Sequence, residues 1–182
     1  MESLWYRMLR AAKLDATLYE EVERDKTATG QAMTVVILSA VAAGLGSARH
    51  AGVRGLVAMS LIALVGWVVW SALTYWIGTR ILPEPATRAD LGELLRAIGF
   101  ASAPGVVRVL GVLPGLAALV ALVAAVWMLV AMVIAVRQAL DYSGTARAVG
   151  VCLIGWVVQV AVIFGLMVLF GVRMAGIPGQ IG

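Results

Sequence analysis

The residues able to do chemistry are few and badly placed for it. The 182-residue chain has one histidine, His50, and one cysteine, Cys152. A nucleophile–base dyad needs a base beside a Cys or Ser. His50 falls in the connection after the first apolar stretch and Cys152 near the start of the last, so the two lie on opposite faces of a membrane. An intramembrane aspartyl pair needs two carboxylates at depth, and none of the ten Asp and Glu residues is at depth. No cluster of His, Cys or carboxylates has metal-ligand spacing. A lone cysteine permits no intramolecular disulfide, and no Gly-Lys-Ser/Thr loop is present to cradle a phosphate. The expectation is a protein without catalytic residues, metal or cofactor. A net charge of +4 comes from dispersed basic residues with no aromatic interleaving, so no nucleic-acid partner is expected.

Ionisable groups inside a membrane are functional candidates by default. Arg96, Arg108 and Arg137 qualify, but a proton relay would use a carboxylate or His at depth. These arginines are therefore read as orienting helices and anchoring headgroups. Asp90, Glu93, Arg96, Arg137 and Asp141 come out together at the inner interface as a candidate charge cluster. Within it Asp141, four residues after Arg137, is expected to pair with Arg137 or Arg96. Gln159, midway along the last span, reads as an interhelical hydrogen bond, and Cys152 as a small packing residue.

The elements that must position these groups follow from composition. Hydrophobic residues make up 62% and charged residues 13%, against roughly 25% charged in soluble domains. Eleven of the charges lie in the first 26 residues. So apolar a chain can be neither water-soluble nor disordered, and no cleavable signal peptide is expected. Windows at 31–48, 56–77, 116–136 and 148–170 carry no charge and approach the roughly 20 residues a bilayer requires. The segment 91–113 holds Arg96, Arg108 and Pro104. Only eleven residues separate its arginines, about 16 Å of helix, so it spans only if both snorkel toward the two interfaces. Gly99 and Pro104 mark its candidate kink, and a re-entrant hairpin is the rival. With five spans, nine Lys/Arg lie inside against three outside (Arg49, Arg54 and Arg173), as do all ten acids. That charge bias places the N-terminus in the cytoplasm and the C-terminus outside.

Two short helices precede the first span. Leu4, Trp5, Met8, Leu9 and Ala12 share one face and Arg7, Arg10 and Lys13 the other, the pattern of a helix resting on the membrane surface. Asp15 can cap a second helix over 16–25. The small-residue rows Ala40/Gly44/Ala48 and Ala117/Ala121/Ala125 read as bundle-building contacts. The fold class is all-α: a five-span transmembrane bundle with a kinked third span and N-terminal amphipathic helices. The divisions are a cytoplasmic segment 1–28, a membrane domain 29–172 and a tail 173–182.

Several strings occur in a telling order: Thr29-Gly-Gln-Ala32, Tyr75-Trp-Ile-Gly-Thr-Arg80, Asp90-Leu-Gly-Glu-Leu-Leu-Arg96, Gly99-Phe-Ala-Ser-Ala-Pro104 and Ala135-Val-Arg-Gln-Ala-Leu-Asp-Tyr142, then Arg147-Ala148. Over residues 1–172 the chain resembles the bacterial and archaeal branch of the Yip family, the Ypt/Rab-interacting membrane proteins. The resemblance implies a five-helix membrane domain with a cytosolic N-terminus. Its eukaryotic members bind Rab-type GTPases and are linked to vesicle budding and membrane shape. This chain lacks their Asp-Leu-(aromatic)-Gly-Pro motif and has Gly99-Phe100 where they have Gly-Tyr, which puts GTPase binding in doubt. The expected role is a membrane-organising scaffold or adaptor, non-enzymatic, in the cell membrane. Expected partners are membrane lipids, a second copy of the chain, or another membrane or cytoplasmic protein. The alternative is a small oligomeric permease or channel.

Overall fold

The computed structural model describes residues 3–47 and 52–169. Seven α-helices follow one another: α1 (Leu4–Ala12), α2 (Ala16–Arg24), α3 (Thr29–Gly46), α4 (Gly52–Trp76), α5 (Leu91–Phe100), α6 (Ala117–Ala139) and α7 (Thr145–Leu169). No strand occurs among the described residues. A π-helical turn, Ile77–Ile81, extends α4, and a 3-10 helix, Ala103–Val112, continues the line of α5. Among the described residues five stretches are long and apolar enough to cross a bilayer, and the third of them is Leu91–Val112. The protein is a polytopic helical membrane bundle.

The least apolar span is the most enclosed. Over its most apolar 18 residues the third span is 50% buried inside the bundle, against 6% for the most apolar 18 residues of the span containing α4. Burial answers its composition, because arginines and a proline are tolerated at depth only where neighbouring helices supply partners. From Gly99 to Gly111 the segment runs parallel to α3: Gly99 lies beside Ala32, Gly105 beside Ser39 and Gly111 beside Gly46. It therefore crosses with α3 and does not turn back. At Gly105 a Cβ would run into Ser39 Oγ and Met128 Sδ, and at Gly46 into the Arg108 carbonyl oxygen. Only a hydrogen side chain allows the backbones this close. The α-helix ends at Phe100, and winding resumes as 3-10 with Pro104 in the first turn, where its missing N–H removes no bond.

Local chemistry sets the helix ends. Ser3, Asp15 and Asp90 cap α1, α2 and α5. At α5 the cap is reciprocal. Glu93 N–H donates to Asp90 Oδ1 and Asp90 N–H to Glu93 Oε2, each at 2.8 Å. α1 and α6 end in Schellman motifs whose left-handed residues are Leu14 (φ 62°) and Asp141 (φ 51°). Asp15 and Leu14 N–H donate to the Arg10 and Ala11 carbonyls, and Tyr142 and Asp141 N–H to those of Arg137 and Gln138.

The core lies toward the end of the bundle that carries α1 and α2. Leu18, Tyr19 and Val22 of α2 join Leu94, Ile98 and Phe100 of α5 and Val136 and Leu140 of α6 in one buried cluster. Each such side chain contributes about 1.5–3 kcal/mol when fully buried. On α6 the small residues that face inward are Ala124, Ala131, Ala135 and Ala139. The row expected to build the bundle, Ala117/Ala121/Ala125, is turned outward, with Ala121 and Ala125 exposed. In an all-apolar helix the small residues alone do not say which face packs.

Candidate functional site

The α1–α2 hairpin is strapped along the bundle. Trp127 Nε1 donates to the Ala12 carbonyl at 2.8 Å, and Gln138 Nε2 to Glu20 Oε1 at 2.8 Å. Arg96 of the third span is buried and donates to the backbone carbonyls of Val22 and Glu23, at the C-terminal end of α2. A guanidinium suits that position, since it satisfies the last carbonyls and meets the negative end of the helix dipole.

The expected division of α1 into an apolar membrane face and a polar face needs correction. Arg7 is buried, 2.9 Å from Asp25, 3.1 Å from Glu21 and bonded to Gln31. Arg10 bridges Asp15 and Glu21, each at 2.7 Å. Two of the three expected headgroup cations are thus neutralised by α2, and Lys13 is the exposed one. The apolar residues also divide. Met8 is buried, Leu4 packs against the core, and Trp5 and Leu9 stay about 60% exposed. The acids of α2 attract the cations inward, a pairing invisible when α1 is read as an isolated helix.

The inner-face cluster is likewise rearranged. Asp90 and Glu93 form the α5 cap, and Arg96 reaches α2. Arg137 makes long bonds of 3.4 Å to the Tyr142 and Ser143 carbonyls and to Thr145 Oγ1. Asp141 pairs with neither arginine. It is exposed, its place dictated by its left-handed backbone at the end of α6. The carboxyl it does influence is Glu23, buried in α2. Burial chiefly, then the Asp141 and Glu93 charges, push that carboxyl up to about 8. Asp15 and Asp25 go the other way, held below the usual range by hydrogen bonds, from Arg10 above all for Asp15 and from Thr27 and then Arg7 for Asp25.

A contact set not anticipated from sequence ties the 82–90 loop to the α6–α7 turn. Glu84 accepts from Ser143 N–H at 3.0 Å and lies 3.2 Å from Arg147, which also donates to the Pro83 carbonyl. The Tyr142 hydroxyl donates to the Gly78 and Leu82 carbonyls. A lone acid between two prolines was the available signal.

The remaining arginine stands apart. Arg108, expected to snorkel to the interface, points its guanidinium into the bundle, 2.7 Å from Met128 Sδ. It lines two adjoining cavities, one of about 810 Å³ between α6 and α7 and one of about 280 Å³ bounded by Ser39, Ser102 and Gln159. Gln159 is exposed and makes no hydrogen bond among the described residues, contrary to the expected interhelical bond. Cys152 is buried on the wall of the larger cavity. No group of three His, Cys, Asp or Glu side chains among the described residues is arranged to hold a metal. His50 lies outside the described residues.

The family model described as the Yip1 domain matches residues 16–171. The chain belongs to the Yip family, and the match takes in α2 together with the five spans. No curated protein and no solved structure matches the chain.

Proposed function

We propose that this Yip-family protein is a non-catalytic scaffold or adaptor of the cytoplasmic membrane, working through the face built by its N-terminal hairpin. The observation that carries the reading is how the hairpin's polar groups are used. Arg7, Arg10 and Arg96 are committed to internal links, while Trp5, Tyr6 and Leu9 remain exposed on α1. A hairpin held rigidly with its aromatic and apolar groups outward suits an interface, either the headgroup layer or a partner protein. The charge bias orients that face to the cytoplasm and the C-terminus outside. The partner is a membrane lipid, a second copy of the chain, or another membrane or cytoplasmic protein. The departures from the eukaryotic motif make a GTPase the least favoured of these.

Photo-crosslinking from positions 5 and 9 in intact cells tests this. A discrete lipid or protein adduct at both positions, absent from position 18 in the core, is the expected result. Reporter fusions at the C-terminus should read as external. Solute flux through proteoliposomes without any adduct would replace the scaffold by the permease alternative.

A further inference from the structure

Independently of the hairpin, the cavity at Arg108 has the chemistry of a ligand site. Among the described residues no carboxylate lies within ion-pairing distance of Arg108, and its bond is to a thioether, a weak acceptor. A guanidinium carries five N–H donors and does not deprotonate, so Arg108, half-buried within a membrane-spanning segment, favours an anion beside it. The cavities offer none, because no Asp or Glu lines either of them. A second donor is also unused. Trp70 lines both cavities, and its indole N–H is enclosed without an acceptor. Ser39, Ser102 and Gln159 add neutral hydrogen-bonding groups beside it.

The rest of the larger cavity is a different medium. Apart from Arg108 and Thr145 its walls are apolar, with Met128, Val133, Leu153 and Trp156 among them. Along α7 it extends from Trp156 back to Thr145, eleven residues or about 16 Å. Leu129, Leu153 and Trp156 are each about 60% exposed, so the groove opens sideways, toward the bilayer. Cationic and polar beside Arg108 and Trp70 and apolar along α6 and α7 as far as Thr145, it is complementary to an amphiphile entering from the hydrocarbon.

We propose that Arg108 and Trp70 bind the phosphate headgroup of an anionic membrane lipid, with one acyl chain lying in the groove between α6 and α7. An anionic headgroup neutralises the lone guanidinium, with the fork geometry arginine offers to phosphate oxygens. A zwitterionic headgroup brings its own ammonium and compensates the arginine less. Inorganic phosphate would leave the apolar groove unfilled.

Native mass spectrometry of the purified full chain with phosphatidylglycerol, phosphatidylcholine or inorganic phosphate tests the assignment. The expected result is a one-to-one phosphatidylglycerol adduct favoured about tenfold or more over phosphatidylcholine. Arg108→Gln should erase that preference. Leu153→Trp, which fills the groove from its exposed wall and leaves Arg108 intact, should weaken the adduct about tenfold and serves as the deciding variant if Arg108→Gln does not fold. Equal retention of both lipids, an adduct unchanged by Leu153→Trp, or inorganic phosphate displacing the lipid would each overturn the site. None of these results bears on crosslinking from α1.

Discussion

Arg96 and Arg108 sit twelve residues apart on the same span, and their surroundings could hardly differ more. Arg96 is buried against two backbone carbonyls at the end of α2, in a region where Arg7, Arg10, Asp15, Glu21 and Asp25 are also partnered. Arg108 faces an apolar groove, and its one hydrogen bond among the described residues is to a thioether. A cation whose donors are satisfied by the chain's own carbonyls holds elements together. One left without an anion is a place where something else must bind. Charge at depth therefore does not by itself mark function, and the identity of the acceptor separates the two cases.

The hairpin end can be broken first at Arg96. Arg96→Ala should cost about 3 kcal/mol, from the lost charge-assisted bonds to Val22 and Glu23. It should release the hairpin, read as a lowered melting temperature in detergent and faster tryptic cleavage at Lys13. Arg96→Lys should recover only part, because an ammonium lacks the guanidinium fork. Equal melting of Arg96→Ala and the parent would remove the strap.

Arg7→Met should have the next largest effect, about 1–2 kcal/mol. Its partners Glu21 and Asp25 keep 36% and 24% of their side-chain surface in solvent, which screens the interaction. The loss should shrink in high salt, whereas that of Arg96→Ala should not, since Arg96 faces carbonyl dipoles and is enclosed.

Glu23 sharpens the same contrast by pH. Its carboxyl is raised from its ordinary value to about 8, so folding favours the protonated form. That stability is fully present below the unfolded value near 4.5 and is lost as pH rises through about 8. Melting temperature should therefore fall between about pH 5 and pH 9. Glu23→Gln should flatten the profile, and Asp141→Asn, by removing one repelling charge, should shrink the loss and move its upper limit to lower pH. The lowered acids Asp15 and Asp25 act in the opposite sense, and only in stronger acid. A profile unchanged by Glu23→Gln would assign the slope to another group.

The smallest effect belongs to Asp141. With a left-handed backbone and no ion pair among the described residues, Asp141→Gly should be neutral or stabilising within about 1 kcal/mol. Asp141→Val should destabilise, because a β-branched residue resists that φ. Charge reversal compensated by Arg137 would restore the pairing that the structure does not have.

The spans were legible because hydrophobic length is a one-dimensional signal. So was the cap at Asp15, because capping is local. What the sequence could not show was which way each span turns. Arg96 reaches carbonyls more than 70 residues away, and Glu84 meets Arg147 across two loops. On α6 almost every residue is apolar, so periodicity carries no phase, and Ala124 and Ala121 look alike. Arg108 was read as snorkelling because its span, though expected to kink, was measured as α-helix throughout, without the 3-10 winding of Ala103–Val112.

That change of winding after Phe100 acts as an angular gear. A 3-10 helix advances about 120° and 2.0 Å per residue, an α-helix about 100° and 1.5 Å. Over the five steps from Ala103 to Arg108 the two windings diverge by about 100° in azimuth and 2.5 Å in height. At about 120° per step Gly105, Arg108 and Gly111 fall in register on a single edge, the edge that meets α3 at Ser39 and Gly46. Rewound as α, the same sequence would swing the guanidinium out of the groove. The direction in which this arginine points is thus stored in the pitch of the backbone beneath it.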